Sequence, residues 1–404
     1  MEIQKNKPLK KVAYFLPLFF VLLSTLPISQ SLYSYAADQK SIYFPEKGVW
    51  EKRKPEDLGM DSQKLKEAID FAMANEWTGP KDLEVAVMQA FSAEPYGGVL
   101  GPTKERGASN GVIVKNGYIV AEWGDTKRVD MTFSVSKSFL STTAGLALDA
   151  GLIANVHDPV KNYVLDGKFE SEHNAKITWH HLLNQTSDWS GTLWDRPDWG
   201  DRPPRKATWD ELRQRKLNDP GTHFKYNDVR VNLLAYCLLQ VWRTPLPVIL
   251  REKIMNPIGA SPTWRWFGYE NSWVLIDGLK MQSVSGGGHW GGGMFVSTRD
   301  QARFGLLFLH NGNWNGKQLI SKDWIKMLRE PTPANPVYGY MWWLNTGQRS
   351  FPSAPESVFY AAGFGGNYIV VDQNHDLVIA VRWSGSSRIM DGIIQRVLVA
   401  YRSE

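Results

Sequence analysis

Ser134 and Lys137 stand three residues apart in Phe133-Ser134-Val135-Ser136-Lys137-Ser138. A serine hydroxyl is a weak nucleophile at neutral pH and needs a proton acceptor within hydrogen-bonding reach. Residues i and i+3 share a helix face, so on a helix both side chains project into one space. Desolvation there lowers a lysine's pKa, which suits it as the base. A serine at a helix N-terminus also aims backbone N–H groups and the positive dipole end at developing negative charge. The bland alternative is a chance tetrapeptide with Lys137 solvated. Against it, the chain contains no second Ser-x-x-Lys, and this one opens an apolar helix ending near Gly151.

The elements that must hold this pair are legible on both sides. Gly111 to Trp123 carries two β-rich arms around Asn116-Gly117, the strongest short hairpin signal. Upstream, Asp61 caps an amphipathic helix over Lys64–Ala74 with apolar Leu65, Ala68, Ile69, Ala72 and Met73. Strand character returns at Tyr338–Leu344, Val358–Ala361, Asn367–Asp372 and Leu377–Trp383, followed by a closing helix over Ile389–Arg402. Residues 155–300 read as a helical insert, with Trp194–Arg205 as a long surface loop. The predicted class is α+β: one antiparallel sheet built from both chain ends, flanked by helices, with that insert.

The chain has 404 residues and one cysteine, Cys237, in the apolar run Leu233–Leu239. A chain this long buries a large core without staples, and a lone cysteine offers neither an internal disulfide nor a cysteine-rich zinc site. The net charge of +5 owes much to Lys5, Lys7, Lys10 and Lys11. They precede the apolar run Val12–Ile28 and the small-x-small pattern Ser34-Tyr35-Ala36, which together read as a signal peptide over 1–36. Its loss removes four lysines and Glu2, so +5 becomes +2, and the expectation of a nucleic-acid partner goes with it. Pro17 and Pro27 interrupt the run, which is shorter than the roughly 20 residues of a spanning helix. The expected protein is exported, periplasmic or secreted, with no stable membrane span; it is membrane-anchored if the signal stays. Residues 37–60 form an N-terminal extension and 61–404 the main domain.

Several ordered motifs resemble one family. Phe133–Ser138 is similar to the nucleophile motif of the serine β-lactamase and penicillin-binding protein superfamily, in particular its class C-like branch of β-lactamases, D-Ala-D-Ala peptidases, esterases and 6-aminohexanoate-dimer hydrolases. Ile177–Ser187 resembles that branch's helix ending in a His-Thr-Ser-Gly turn. Pro220-Gly221-Thr222-His223-Phe224-Lys225-Tyr226 resembles the lead-in to its catalytic tyrosine, and Gly291–Asp300 its Gly-rich turn before a late helix. The likeness covers roughly residues 50 to 400. It implies a β-lactamase/transpeptidase-like fold, with Tyr226 as second general base beside Lys137.

Two motifs depart from that pattern. The usual Tyr-x-Asn reads Tyr226-Asn227-Asp228, and an aspartate accepts but does not donate. The place of Lys-Thr-Gly or His-x-Gly is taken by Ala361-Ala362-Gly363-Phe364-Gly365-Gly366, without a cation. The resemblance still implies an oxyanion hole from the N–H groups of Ser134 and Phe364, with Gly363 and Gly365 letting substrate lie on the strand edge. His289, in His289-Trp290-Gly291, reads equally as a residue of the site rim and as a surface-loop histidine. Lacking both the asparagine and the cation, the chain fits an esterase, amidase or peptidase of a less anionic substrate better than an efficient β-lactamase.

Other patterns take ordinary readings. His180 and His181 are adjacent and point about 100° apart on a helix, unsuited to one metal. Trp189, Trp194 and Trp199 build either a cleft or the core. Tyr269-Glu270-Asn271 is a literal Tyr-x-Asn without the lead-in. The expectation is a serine hydrolase acting on a small-molecule or peptide ester or amide through a Ser134 acyl-enzyme, with no metal or organic cofactor. A D-Ala-D-Ala carboxypeptidase or β-lactamase is the near alternative, and a catalytically silent binder of peptidoglycan or protein the distant one.

Overall fold

The computed structural model describes residues 42–401. Residues 1–36, read from sequence as a signal peptide, and the first residues of the extension lie outside them. Seven strands form an antiparallel sheet in the order Tyr338–Gly339, Trp342–Leu344, Phe359–Gly363, Asn367–Asp372, Leu377–Arg382, Asn110–Lys115 and Tyr118–Trp123. The two ends of the described chain thus meet between the fifth and sixth strands, where Asn110 faces Arg382 and Ile113 faces Ile379. The sheet built from both termini is as the sequence predicts.

Alternation explains why these strands read as continuous apolar runs. Val112, Val114, Ile369, Val371 and Val378 enter one core, while Ile113, Val370, Ile379 and Val381 enter the other. Successive strand side chains point to opposite faces, and here both faces are covered. The first core packs under the helix Thr298–Leu309; the second lies under the helices Ser62–Ala74 and Ser387–Val399. Asp61 caps the former by accepting from Gln63 N and Lys64 N at 2.9 and 3.1 Å. Asn116 and Gly117 both have positive φ, 51° and 84°, as a two-residue hairpin of twisted strands requires. Residues 51–53 of the extension join the sheet edge, where Ile119 N–H donates to Glu51 O and Arg53 N–H to Ile119 O.

The middle of the chain carries the helices of the expected insert, Trp179–Leu183, Asp228–Trp242 and Leu246–Leu250 among them, and adds strands the sequence did not show. It contributes a second sheet in the order Asp130–Met131, Gly293–Val296, Arg265–Ile276 and Leu279–Val284, the last two joined at Asp277-Gly278. The predicted surface loop is corrected: Asp198, Gly200 and Asp201 within it are buried, and it folds onto the start of the helix Asp228–Trp242. Cys237 is buried in that helix, as expected. No single helix among the described residues is long and apolar enough to cross a membrane.

Candidate active site

Ser134 sits in a single 3-10 turn, Phe133–Val135, that runs directly into the helix Ser136–Asp149. The turn is set by Phe133, a buried non-glycine residue with φ of 50°, a conformation that persists only when its surroundings enforce it. Its carbonyl is packed against Gly287, where an added Cβ would lie 2.0 Å from that oxygen. The helix start is pinned from the second sheet: Met294 N–H donates to Ser136 Oγ at 2.7 Å. Ser134 itself remains partly exposed at the end of this buried framework.

Lys137 lies one turn on, with its side chain 1% exposed. Its three ammonium hydrogens have three acceptors: Ser134 Oγ at 2.7 Å, Asp228 Oδ1 at 2.8 Å and Gly286 O at 3.3 Å. Here the sequence expectation of a depressed lysine pKa is corrected. Burial is the largest single influence and pulls the pKa down, but the Asp228 carboxylate and Tyr226 together outweigh it, and the net direction is up. An ammonium with all three donors engaged has no lone pair with which to take a proton from Ser134.

Asp228 opens the helix Asp228–Trp242 and is 1% exposed. The departure from asparagine thus puts a carboxylate in the core of the site. Burial pushes its pKa up, but Arg202 and then Lys137 hold it well below the usual carboxylate range. Arg202 Nη1 reaches Asp228 Oδ2 at 2.8 Å and Asp201 Oδ1 at 2.7 Å. Asp201 in turn accepts the backbone N–H of Asp228. His289 is neither a rim nor a surface histidine. It is 4% exposed, with Nδ1 3.1 Å from Asp228 Oδ2, Nε2 3.0 Å from Glu94 Oε2, and its ring stacked on Phe91. Burial lowers its pKa, yet these carboxylates win and push it up to about 9, so it is an imidazolium at neutral pH.

Tyr226 is held at the mouth by its neighbour. Asn227 N–H donates to Gln185 Oε1 at 2.7 Å, Asn227 Nδ2 donates to Asp198 O at 2.8 Å, and Asn227 Oδ1 caps the helix through Arg230 N. The Tyr226 ring stacks on Trp343, and it lies 4.9 Å from Lys137 Nζ and 5.2 Å from the Arg202 guanidinium carbon. The expected second base is therefore beside the Ser134–Lys137 pair.

The strand edge falls where the altered third motif predicts. A Cβ on Gly363 would sit 2.1 Å from Thr132 O and 3.3 Å from Ser134 N, so only glycine allows this approach of strand to nucleophile. The Phe364 side chain packs on Phe133, Phe91 and Trp77. Gly365, expected along the substrate edge, instead faces Trp77 and Trp383, and its carbonyl accepts from Gly385 N–H. The tight return of the chain at Gly365-Gly366, both at positive φ, turns it away.

Sequence reasoning missed Glu94, Asp201, Arg202 and the Gly286 carbonyl. The available signal for the last was Gly286-Gly287-Gly288, where a side chain would strike Val231, Phe133 O and Asp228 respectively. Glu94, Asp201 and His289 bring ligand atoms within 4.8 Å of one another, the spacing of a metal site. In this structure His289 Nε2 pairs with Glu94 Oε2 at 3.0 Å and Asp201 Oδ1 with Arg202 Nη1 at 2.7 Å. The other motifs are structural. His180 bonds Tyr340 and His181 completes a helix cap; Trp189 is core; Tyr269 is buried against Asn232 and Ser285.

Comparison with known proteins agrees with this architecture. The Beta-lactamase family model matches residues 99–402. An uncharacterized protein of Alkalihalophilus pseudofirmus is 24% identical over 316 residues, 68% of this chain and 83% of its own. Among solved structures, a family VIII carboxylesterase aligns at TM-score 0.56 and 15% identity, over 85% of this chain and 99% of that one. A penicillin-binding protein homologue from Caulobacter crescentus aligns at TM-score 0.54 and 16% identity, over 80% and 98%. At these identities the structural likeness shows the fold.

Proposed function

The chain belongs to the beta-lactamase family, and from that premise we propose that it is an exported serine hydrolase cleaving an ester or amide through a Ser134 acyl-enzyme. The observation that carries the reading is the contact of Lys137 Nζ with Ser134 Oγ, 2.7 Å apart at the closest approach of the Gly363 strand edge. In the proposed reaction Ser134 Oγ attacks the carbonyl while Lys137, as a cation, stabilises charge developing on that oxygen. Tyr226 relays the proton: its hydroxyl oxygen accepts from Ser134 as its own hydrogen passes to the leaving group. Backbone N–H groups of Ser134 and Phe364 receive the oxyanion, and water then releases the acyl group. The assignment of the cationic role to Lys137 replaces the general-base role expected from sequence. Export rests on the lysine-flanked apolar segment near the start of the chain.

The test is hydrolysis of p-nitrophenyl butyrate by the wild-type protein and by Ser134→Ala. An initial burst equal to the enzyme concentration, or steady turnover lost in the variant, supports the reading. Turnover that persists in Ser134→Ala overturns it, and so does a wild-type protein that hydrolyses no ester or amide yet binds cell-wall peptide.

A further inference from the structure

The sequence shows no cation at the third motif and so points to a less anionic substrate. The structure supplies a cation from elsewhere. Arg202 stands in the segment between the short strands Thr192–Leu193 and Arg196–Pro197 and the helix Trp209–Arg213, and it has a φ of 47°, uncommon for a side chain-bearing residue. Its backbone N–H donates to Glu94 Oε2 at 3.2 Å, fixing that conformation. Its guanidinium lies between two aromatic rings, 5.6 Å from the centre of Phe91 and 5.2 Å from that of Tyr226.

The guanidinium has an inner and an outer edge. Nη1 points inward and is spent on Asp201 and Asp228, both buried. Among the described residues, Nε and Nη2 donate to nothing, and the side chain is 29% exposed. Ser134, Tyr226 and Glu94 are the other partly exposed members of the cluster, whereas Lys137, Asp228, Asp201 and His289 are buried. The guanidinium and the Ser134-bonded Lys137 ammonium lie 5.2 and 4.9 Å from the one Tyr226 ring, so the outer fork opens beside the nucleophile. Two parallel N–H groups held in a plane match a carboxylate bidentately, and the inward carboxylates keep the fork from swinging. The faces of Phe91 and Tyr226 add cation–π attraction that holds the guanidinium in place.

We propose that Arg202 is a specificity-determining residue that grips a carboxylate of the substrate, so that the ester or amide cleaved at Ser134 carries a negative charge close to the scissile bond. This rests on the hydrolase reading above. It also replaces the less anionic substrate expected from the missing third-motif cation.

The experiment compares kcat/KM for neutral p-nitrophenyl butyrate with two anionic esters, mono-p-nitrophenyl glutarate and 4-carboxyphenyl butyrate, which place the carboxylate on the acyl and leaving-group sides. The quantity read is the anionic-to-neutral ratio in wild type, Arg202→Gln and Arg202→Lys. The expected result is a ratio for at least one anionic ester that falls at least tenfold in Arg202→Gln, with Arg202→Lys intermediate because it keeps the charge and loses the fork. A merely structural role for Arg202 lowers both rates together, and ratios unchanged for both anionic esters overturn the proposal. If Arg202→Gln is inactive on every ester, the Arg202→Lys ratios decide: a threefold or greater fall for one anionic ester supports the proposal and no fall overturns it. Failure of the hydrolase reading looks different, as neutral-ester turnover that survives Ser134→Ala.

Discussion

Lys137 Nζ and Asp228 Oδ1 lie 2.8 Å apart with both side chains 1% exposed, so the lysine beside the nucleophile is one half of a buried ion pair. At the position where the family pattern has a neutral amide, this chain places a charge. The pairing favours the charged lysine, which is why the reaction proposed above gives Lys137 a cationic role and Tyr226 the proton transfer.

Replacing Asp228 by asparagine separates the two roles. Asp228 is the strongest influence raising the Lys137 pKa; without it burial is opposed by Tyr226 alone and the pKa falls. If Lys137 works as a cation, the alkaline limb of kcat/KM in Asp228→Asn moves to lower pH. If Lys137 were the base, the acidic limb would move down instead and activity at pH 7 would rise.

Lys137→Met removes one partner of the pair and leaves Asp228 with Arg202 and His289 alone. Uncompensated buried charge costs about 3 kcal/mol or more. Urea denaturation at pH 7 is expected to show a loss of that order, and the double variant with Asp228→Asn to recover part of it. Additive losses in the double variant would mean that the pair is not coupled.

Gly363→Ala puts a Cβ 2.1 Å from Thr132 O and forces the strand away from Ser134. Displacing one oxyanion donor costs roughly 100-fold or more in kcat. Because Gly363 ends its strand and is not fully buried, the melting temperature is expected to fall far less than activity does. Steady-state kinetics beside thermal denaturation checks this; full activity in the variant would remove the strand edge from the reaction.

His289 gives stability a pH dependence of definite sign. Its pKa is raised from the ordinary 6.5 to about 9 in the folded protein, so its contribution is complete below pH 6.5 and is lost as pH rises through 9. The difference in unfolding free energy between wild type and His289→Gln, read by urea denaturation, is expected to be largest near pH 6 and to shrink by on the order of 3 kcal/mol by pH 10. Stacking on Phe91 adds a part independent of pH. A difference that stays flat with pH would contradict an imidazolium at this position.

What was legible in the sequence was local. Ser134 and Lys137 announce their contact through helix spacing, Asn116-Gly117 its hairpin through turn chemistry, and Ile113 and Ile379 their sheet through β-branched runs. The charge network was not legible because its members are far apart in the chain: Glu94, Asp201 and Arg202 reach Asp228 and His289 from two loops. Polar loops read as exposed, yet Asp201 is fully buried because Arg202 and the Asp228 N–H satisfy it. The long hairpin Arg265–Val284 escaped notice although Asp277-Gly278 marks its turn; the exposed Leu275 and Leu279 blur its alternation. The protonation of Lys137 depends on where Asp228 points, which only tertiary structure decides.

The central claim, that Ser134 is the residue acylated, is tested most directly by intact-mass analysis and peptide mapping after reaction with a fluorophosphonate. The account predicts one adduct per chain, on Ser134, absent from Ser134→Ala and strongly slowed in Lys137→Met. An adduct on another residue, or one that forms equally in Ser134→Ala, would contradict it.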